Sequence, residues 1–138
     1  ATGVLWWRAG TVHRAPWREL DHCPADVRSL AACDGVLYAV DRAHRLWTAS
    51  QGVDAGEHRV WTRSDDGTEL IAIVSMNGRL YAVDTSDRVL CRAPVVGQPW
   101  TPIGAAEGVD VLTGHAGWLI GAGGGQPLRW RVTALASC

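Results

Sequence analysis

The sequence predicts an all-β fold built from four-stranded antiparallel repeats, and two observations support this prediction. The first is a stretch that occurs twice: residues 35–46 and residues 78–89 are identical at seven of twelve positions, and they begin 43 positions apart. The second is a degraded third copy at residues 116–122, in which Gly117 lies 39 positions beyond Gly78 of the second copy. Self-similarity at a fixed period of about 40 residues is typical of a repeat architecture.

Each of the first two copies predicts a tight β-hairpin. Asp34-Gly35 and Asn77-Gly78 are dipeptides that tolerate the two successive positive φ angles of a type I′ turn. Short apolar runs precede both turns, and runs rich in β-branched and aromatic residues follow them, as suits buried strands. We therefore expect two antiparallel strands on either side of each dipeptide.

Two further strands are predicted after each hairpin. Residues 45–49 correspond to residues 88–92 and, near the end of the chain, to residues 127–131. A tryptophan marks the fourth strand: Trp61 and Trp100 follow the two copies and Trp17 precedes them, with spacings of 44 and 39 residues. We expect these three rings to pack between repeats. Four short strands in about 40 residues are typical of a β-propeller blade.

The order of these features resembles the tectonin and tachylectin-2-like propeller repeats. The shared pattern is a tryptophan, a glycine-containing loop, an apolar strand, then Gly-x-Leu-Tyr-Ala-Val and Leu-Trp, and it covers the chain from Leu5 to about Arg131. No Trp-Asp dipeptide occurs in the sequence, so the paired Gly-His and Trp-Asp signature of WD40 blades is missing. The third copy departs from the pattern, with Ile120-Gly121 where Tyr-Ala is expected. The resemblance implies recognition of N-acetylated or methylated sugars on cell surfaces.

The repeats divide the chain into one propeller segment of about three and a half blades. The predicted parts are a partial blade at 1–20, complete blades at 26–63 and 69–102, and a degenerate blade at 109–138. A closed ring needs at least four blades, and each blade buries its faces only against its neighbours. We therefore expect either a homo-oligomer or the remainder of a larger propeller to complete the ring.

Composition and charge exclude several classes of function. The 138 residues carry a net charge of −1, and the pI is about 6.6, so there is no electrostatic case for nucleic acid. No run reaches 18 apolar residues, so membrane insertion is not expected. No signal peptide is visible, which leaves secreted and cytoplasmic locations open. All basic residues other than histidine are arginine, which excludes a lysine Schiff base and a P-loop lysine. We associate this arginine-rich, lysine-free composition with a GC-rich bacterial genome.

The sequence predicts no catalytic centre, metal site or cofactor. The four cysteines have no C-x-x-C spacing, and the five histidines are scattered over different loops. Cys33 and Cys91 occupy strand positions, which indicates ordinary packing, although a local disulfide between Cys23 and Cys33 remains open. No Gly-x-Ser-x-Gly elbow occurs, and no carboxylate pair recurs in an apolar setting. We therefore do not expect an enzyme.

The candidate ligand-binding residues lie on the turn between the second and third strands of each repeat. Carboxylates and arginines there recur at equal offsets after Tyr-Ala-Val and suit hydroxyl-rich ligands, although such residues are more often solvated turn residues. Two tryptophans that break the repeat pattern could stack on sugar rings. The candidates are Asp41, Arg45, Asp84, Asp87, Arg88, Trp7 and Trp118.

These observations predict a lectin-like module that binds cell-surface glycans multivalently. The alternative is a protein–protein interaction propeller that forms part of a larger chain or assembly. A sugar-binding module predicts equivalent polar and aromatic groups in every repeat, whereas a scaffold predicts one uneven patch that differs between repeats.

Overall fold

The computed structural model describes residues 6–7, 18–19, 24, 26–49, 60–64, 66–95 and 97–123, and within these residues it contains strands and turns but no helix. The strands are listed in chain order. They are β1 (Trp6–Trp7), β2 (Arg18–Glu19), β3 (Val27–Cys33), β4 (Val36–Asp41), β5 (Leu46–Ala49), β6 (Trp61–Arg63), β7 (Leu70–Met76), β8 (Arg79–Asp84), β9 (Arg88–Arg92), β10 (Thr101–Ala105), β11 (Val111–His115) and β12 (Trp118–Ala122). The predicted all-β class is confirmed.

Two of the sheets are complete four-stranded blades. The strand order β3-β4-β5-β6 forms the first blade and β7-β8-β9-β10 the second, and every neighbouring pair is antiparallel. Two-stranded sheets precede and follow them, β1 with β2 and β11 with β12. The fourth strand of the second blade ends at Ala105, three residues beyond the limit of 102 expected from the sequence.

The hairpin turns have the backbone that the dipeptides predicted. Asp34 and Gly35 have φ angles of 53° and 79°, and Asn77 and Gly78 have 52° and 73°. Two successive positive φ values define the type I′ turn, whose twist matches that of the flanking strands. The third copy makes the same turn with Ala116 at 50° and Gly117 at 82°.

The blades stack through their first strands. β3 packs against β7, and β7 packs against β11, so the first strand of each repeat lies beside the first strand of the next. Ser29 on β3 ties the first two together: its Oγ accepts a hydrogen bond from Ile73 N at 2.9 Å and donates one to Ile73 O at 3.2 Å. On β11, Gly114 lies so close to Met76 that an added Cβ would come within 2.9 Å of Sδ.

Two hydrophobic clusters fill the spaces between the repeats. The first joins side chains of both complete blades, including Tyr38, Val40, Ile73 and Leu80, and Trp100 packs against it. The second joins the second blade to the following hairpin, with Tyr81 and Val83 on one side and Leu119 on the other. Both Tyr-Ala-Val segments are almost completely buried, because a blade is covered on two faces by its neighbours.

The structure confirms the expectation for one cysteine and corrects it for another. Cys33 is a free, buried thiol that packs in the first cluster as expected, so the local disulfide with Cys23 that the sequence left open does not form. Cys91 is disulfide-bonded, and not merely packed, with a partner cysteine that lies outside the described residues. Trp17 also lies outside the described residues, whereas Trp61 and Trp100 are partly buried.

Candidate functional site

The first candidate turn is built around the carboxylate of Asp41. Its Oδ1 accepts hydrogen bonds from the backbone N–H groups of Ala43 at 2.9 Å and Arg45 at 3.0 Å. Its Oδ2 accepts from Arg45 Nε at 3.2 Å and from Trp47 Nε1 at 2.9 Å. Four donors therefore surround one buried carboxylate and hold both the turn and the arginine in place.

Asp84 organises the second turn in the same way with one donor fewer. Its Oδ1 accepts from Ser86 N at 3.0 Å and Arg88 N at 2.8 Å, and its Oδ2 accepts from Arg88 Nε at 2.8 Å. Leu90 stands where the first blade has Trp47, so the indole donor is missing. The two turns share a backbone but differ in their aromatic group.

The two carboxylates are buried, whereas the arginine side chains that they bind are about half exposed. Asp41 and Asp84 are each 3% exposed, and the internal donors engage both oxygens of each. The side chains of Arg45 and Arg88 are 48% and 53% exposed. In this arrangement the aspartates organise the turns, and the arginines are the groups that can reach a ligand.

Hydrogen bonding determines the charge state of Asp41. Burial alone would raise the pKa of its carboxyl, but the hydrogen bonds from Trp47, Arg45 and Ala43, together with the charge of Arg45, lower the pKa below its ordinary value of 3.8. Asp41 is therefore ionised at neutral pH, and the turn presents an arginine whose position is fixed by a permanent counter-charge.

A cleft of about 370 Å³ opens beside the first turn. One wall is the turn itself, from Ala43 to Leu46, and the other is the connection between the first and second blades. That connection is anchored by the hydrogen bond from Leu70 N to His44 O, at 2.9 Å. The remaining lining residues are Arg63, Ser64, Gly67, Thr68 and Glu69. The cleft therefore offers guanidinium, hydroxyl and carboxylate groups and the imidazole of His44, but no tryptophan or tyrosine ring lines it.

We call the surface formed by residues 42–45 and 85–88 the turn face. Equivalent strands of the two blades lie side by side, so both turns emerge at the same end of the blades. The exposed groups on it include Arg42, Arg45, Asp87 and Arg88. His44 and Asp87 occupy the same position of the two turns with φ angles of 67° and 60°, so equal backbones carry different side chains.

The third repeat cannot build this turn. Gly123 occupies the position of Asp41 and Asp84, and a Cβ added to it would lie 2.1 Å from the carbonyl oxygen of Gly108. No side chain fits at that distance without a backbone shift. Within the described residues the aspartate-centred turn therefore occurs twice, and the turn face differs from repeat to repeat.

One of the two candidate tryptophans lies away from the turn face. Trp118 begins β12 and is 45% exposed, at the hairpin end of the third repeat. Trp7 lies in β1, and its side chain is outside what the structure describes. The structure thus brings together five of the seven candidates, in two equivalent turns.

Sequence reasoning missed the second wall of the cleft and a buried arginine. Arg63 ends β6 and Glu69 lies in the connection that follows it, and the repeat pattern marks neither residue as functional. Arg92 is 3% exposed, although its place in the first blade is taken by Ala49. An arginine at the position of a buried alanine was the sequence signal that could have identified it.

No group of three or more metal-ligating side chains that could hold an ion occurs in the part of the chain that the structure describes. That part also contains no helix long and apolar enough to cross a membrane.

Among the comparisons with known proteins, only those with solved structures give a match, and they inform the fold class. No protein-family model and no curated protein matches the sequence. The chain is similar to one in a crystal structure of a nidogen/laminin complex, with a TM-score of 0.56 and 17% identity over 78% of this chain and 43% of that one. It is also similar to the glutaminyl cyclase of Myxococcus xanthus, with a TM-score of 0.49 and 19% identity over 85% of this chain and 56% of that one.

The likeness to the nidogen/laminin complex, together with the two four-stranded sheets, shows that this chain is made of β-propeller blades. It spans about half the length of the solved chains that it matches. The tectonin-like resemblance remains a prediction.

Proposed function

We propose that the chain is the interaction module of a β-propeller and that it binds another protein through the turn face. The observation that carries the proposal is the pair of half-exposed arginines, Arg45 and Arg88, each fixed by a buried aspartate. The partner presents acidic side chains to them. Arginine is enriched at protein interfaces, where its planar fork pairs with carboxylates.

Fixing the arginines before binding favours affinity. An arginine that is free in solution loses side-chain freedom when it binds, at a cost of about 0.5–1.5 kcal/mol for an immobilised side chain. Asp41 and Asp84 already hold the Nε–H groups, so part of this loss occurs during folding. The terminal nitrogens of each guanidinium remain on the exposed side for a partner.

The uneven turn face supports a protein partner over a repeated sugar site. Trp47 is replaced by Leu90, His44 by Asp87, and the third repeat has Gly123 where the aspartate would be. A repeated sugar site would need the same groups in each blade. One continuous patch of differing residues suits a single protein surface.

The disulfide of Cys91 supports an oxidising compartment as the place where the chain acts. Cys91 is disulfide-bonded, and disulfides persist mainly in secreted and other extracytoplasmic proteins. We infer that the partner is encountered outside the reducing cytosol. The expectation that the chain is not an enzyme remains a prediction.

The test compares variants of the chain as bait for proteins secreted by its source cells. The first bait is the unmodified chain, the second carries Arg45→Glu with Arg88→Glu, and the control carries Arg28→Glu, which alters an exposed arginine on β3. We expect a partner retained by the first and third baits and lost from the second. Titration of the purified partner should then show at least a tenfold loss of affinity in the double variant. Equal retention by all three baits would contradict the proposal.

The cleft favours glycan recognition as a second candidate. Its volume of about 370 Å³ is near the lower end for small-molecule sites, about 300–1,000 Å³, and arginine, hydroxyl and carboxylate groups suit a sugar ring. A glycan array probed with the unmodified chain and with Arg63→Gln distinguishes the candidates. Binding that Arg63→Gln abolishes would support a sugar site, whereas the protein-partner proposal expects no glycan to be retained.

A further inference from the structure

Arg92 is a buried cation at the boundary between the first and second blades. It ends β9 and is 3% exposed. The Cζ atom of its guanidinium lies 4.9 Å from the ring centre of Trp100 and 5.7 Å from that of Tyr38. These are cation–π distances, and they place aromatic rings of both blades beside one positive charge.

The polar atoms of this cluster are mostly unpaired. Among the described residues, Arg92 makes a hydrogen bond from Nη1 to the carbonyl oxygen of Gln98 at 3.3 Å and forms no ion pair. Its Nε and the Nε1 of Trp100 are buried without a hydrogen-bond partner, and Tyr38 Oη interacts with the Arg92 guanidinium itself. A buried donor without an acceptor costs about 1–3 kcal/mol, and more when it is charged.

The chemistry of the unpaired atoms defines what they can bind. A guanidinium and an indole are donors only, and a protonated phenol can also donate. Burial raises the pKa of Tyr38 above 10.0, an effect that the hydrogen bond and the charge of Arg92 partly offset, so the phenol keeps its proton at neutral pH and can still donate it. All three groups therefore require an acceptor, and the charge of Arg92 requires an anion.

The shape of the guanidinium selects among anions. Nη1 already donates to the carbonyl of Gln98, whereas Nε, on the edge that it shares with Nη2, is buried without an acceptor. That edge presents two parallel N–H groups, which match the two oxygens of a carboxylate. The small exposed fraction of Arg92 limits the ligand to a compact group.

We propose that Arg92, Trp100 and Tyr38 form a binding site for a small carboxylate between the first two blades. The carboxylate accepts two hydrogen bonds from the Nε/Nη2 edge of Arg92 and further bonds from the indole and phenol donors. Arg88 on the turn face begins β9 and Arg92 ends it, so the two sites lie at opposite ends of one strand. The inference does not rest on the proposed protein partner.

The experiment is an NMR titration of the chain, labelled with ¹⁵N, with sodium acetate at constant ionic strength. The Nε–H signal of Arg92 and the Nε1–H signal of Trp100 should shift and saturate together at about 1–50 mM acetate, a weak affinity suited to a four-atom ligand. Arg92→Met removes the donors and keeps an apolar chain of similar length. It should abolish the saturating shift at Trp100. Arg28→Met, which alters an exposed arginine on β3, should leave it unchanged.

A second variant and a second titration complete the test. Trp100→Phe keeps a ring beside the guanidinium but removes the indole donor, and it should weaken acetate binding severalfold even if Arg92→Met fails to fold. Sodium chloride replaces acetate in a parallel titration, in which we expect no saturation over the same range. Equal saturation by chloride would overturn the carboxylate assignment. Linear, unsaturated shifts with acetate in the unmodified chain would overturn the site.

Discussion

At the scale of single residues, Asp41 and Asp84 explain why the second turn of each blade has one conformation. Each carboxylate replaces the missing backbone acceptors of a tight turn and neutralises an arginine four positions later. A single polar side chain therefore fixes a backbone path and the direction of a cation. Both aspartates were binding candidates in the sequence analysis, whereas in the structure their carboxylates stabilise the turns.

The first prediction follows from the donors that Asp84 satisfies. Asp84→Ala leaves Ser86 N, Arg88 N and Arg88 Nε without their acceptor, so we expect the free energy of unfolding to fall by about 1–3 kcal/mol. Thr85→Ala, at an exposed position of the same turn, should change it by less than about 0.5 kcal/mol. Chemical denaturation of both variants measures the difference. Equal stability of the two would show that the carboxylate does not hold the turn.

The second prediction concerns pH. The folded-state pKa of Asp41 lies below its ordinary value of 3.8, so its ionised form stabilises the fold above the unfolded-state pKa. This contribution should be lost as pH falls below about 3.8 and through the folded-state value. The stability difference between the unmodified chain and Asp41→Asn should therefore be constant near neutral pH and shrink below pH 4. Denaturant melts across this range measure it, and Trp47→Phe, which removes one donor, should raise the pKa of Asp41 in a carboxyl ¹³C titration.

The third prediction uses the strained residue of the third hairpin. Ala116 has a φ of 50°, a conformation that costs an ordinary L-residue about 1–2 kcal/mol but that asparagine tolerates. Asn77 and Asp34 hold the same position in the sister hairpins. Ala116→Asn should raise the unfolding free energy by about 1 kcal/mol, and Asn77→Ala should lower it by a similar amount. Thermal or chemical melts that showed no change in either variant would contradict the turn assignment.

At the scale of elements, the blades are held together by apolar packing and by a few polar links, one of which joins their first strands directly. Ser29 accepts from and donates to the backbone of Ile73 on the neighbouring first strand. The corresponding residue of the second blade is Ala72, which cannot form this link. The junction between the first two blades therefore has a specific connection that the next junction lacks.

The fourth prediction tests that connection. Ser29→Ala leaves the N–H group of Ile73 without its acceptor between two packed strands, so we expect a loss of about 1–3 kcal/mol of unfolding free energy. Hydrogen exchange should accelerate at Ile73 more than at Leu119, which packs at the other junction. The matched control is Ser75→Ala, a partly buried serine on β7, and it should have a smaller effect. Unchanged exchange at Ile73 would show that packing alone holds the blades.

The sequence predicts these elements well where the deciding interactions are local. Asp34-Gly35 and Asn77-Gly78 set their own turns, and the apolar runs beside them set the strands, so the hairpins could be located without a structure. The surroundings of Arg92 could not be predicted, because Tyr38 comes from the other blade. The burial of Asp41 depends likewise on how the turn folds over the carboxylate, although its donors lie within six positions.

At the scale of the whole molecule, the last described hairpin has one covered face and one open face. Leu112 and Leu119 pack on the second blade, whereas Val111 is 60% exposed and Trp118 45% exposed on the other side. A propeller blade buries both faces against neighbours. The described residues cover this face of β11 and β12 less than the other face, so we expect further blades or a second copy of the chain to pack there.

The last prediction is that the isolated chain associates. The open face places the apolar side chain of Val111, which is 60% exposed, on a sheet whose counterpart in a ring is covered. We expect sedimentation equilibrium to give a concentration-dependent mass above 14.8 kDa. Val111→Glu should lower that mass, because it introduces a charge where the sheet would be buried, whereas Asp110→Glu next to it keeps the charge and should not. A single species of 14.8 kDa at all concentrations, unaffected by Val111→Glu, would mean that the chain does not close its open face with another copy of itself.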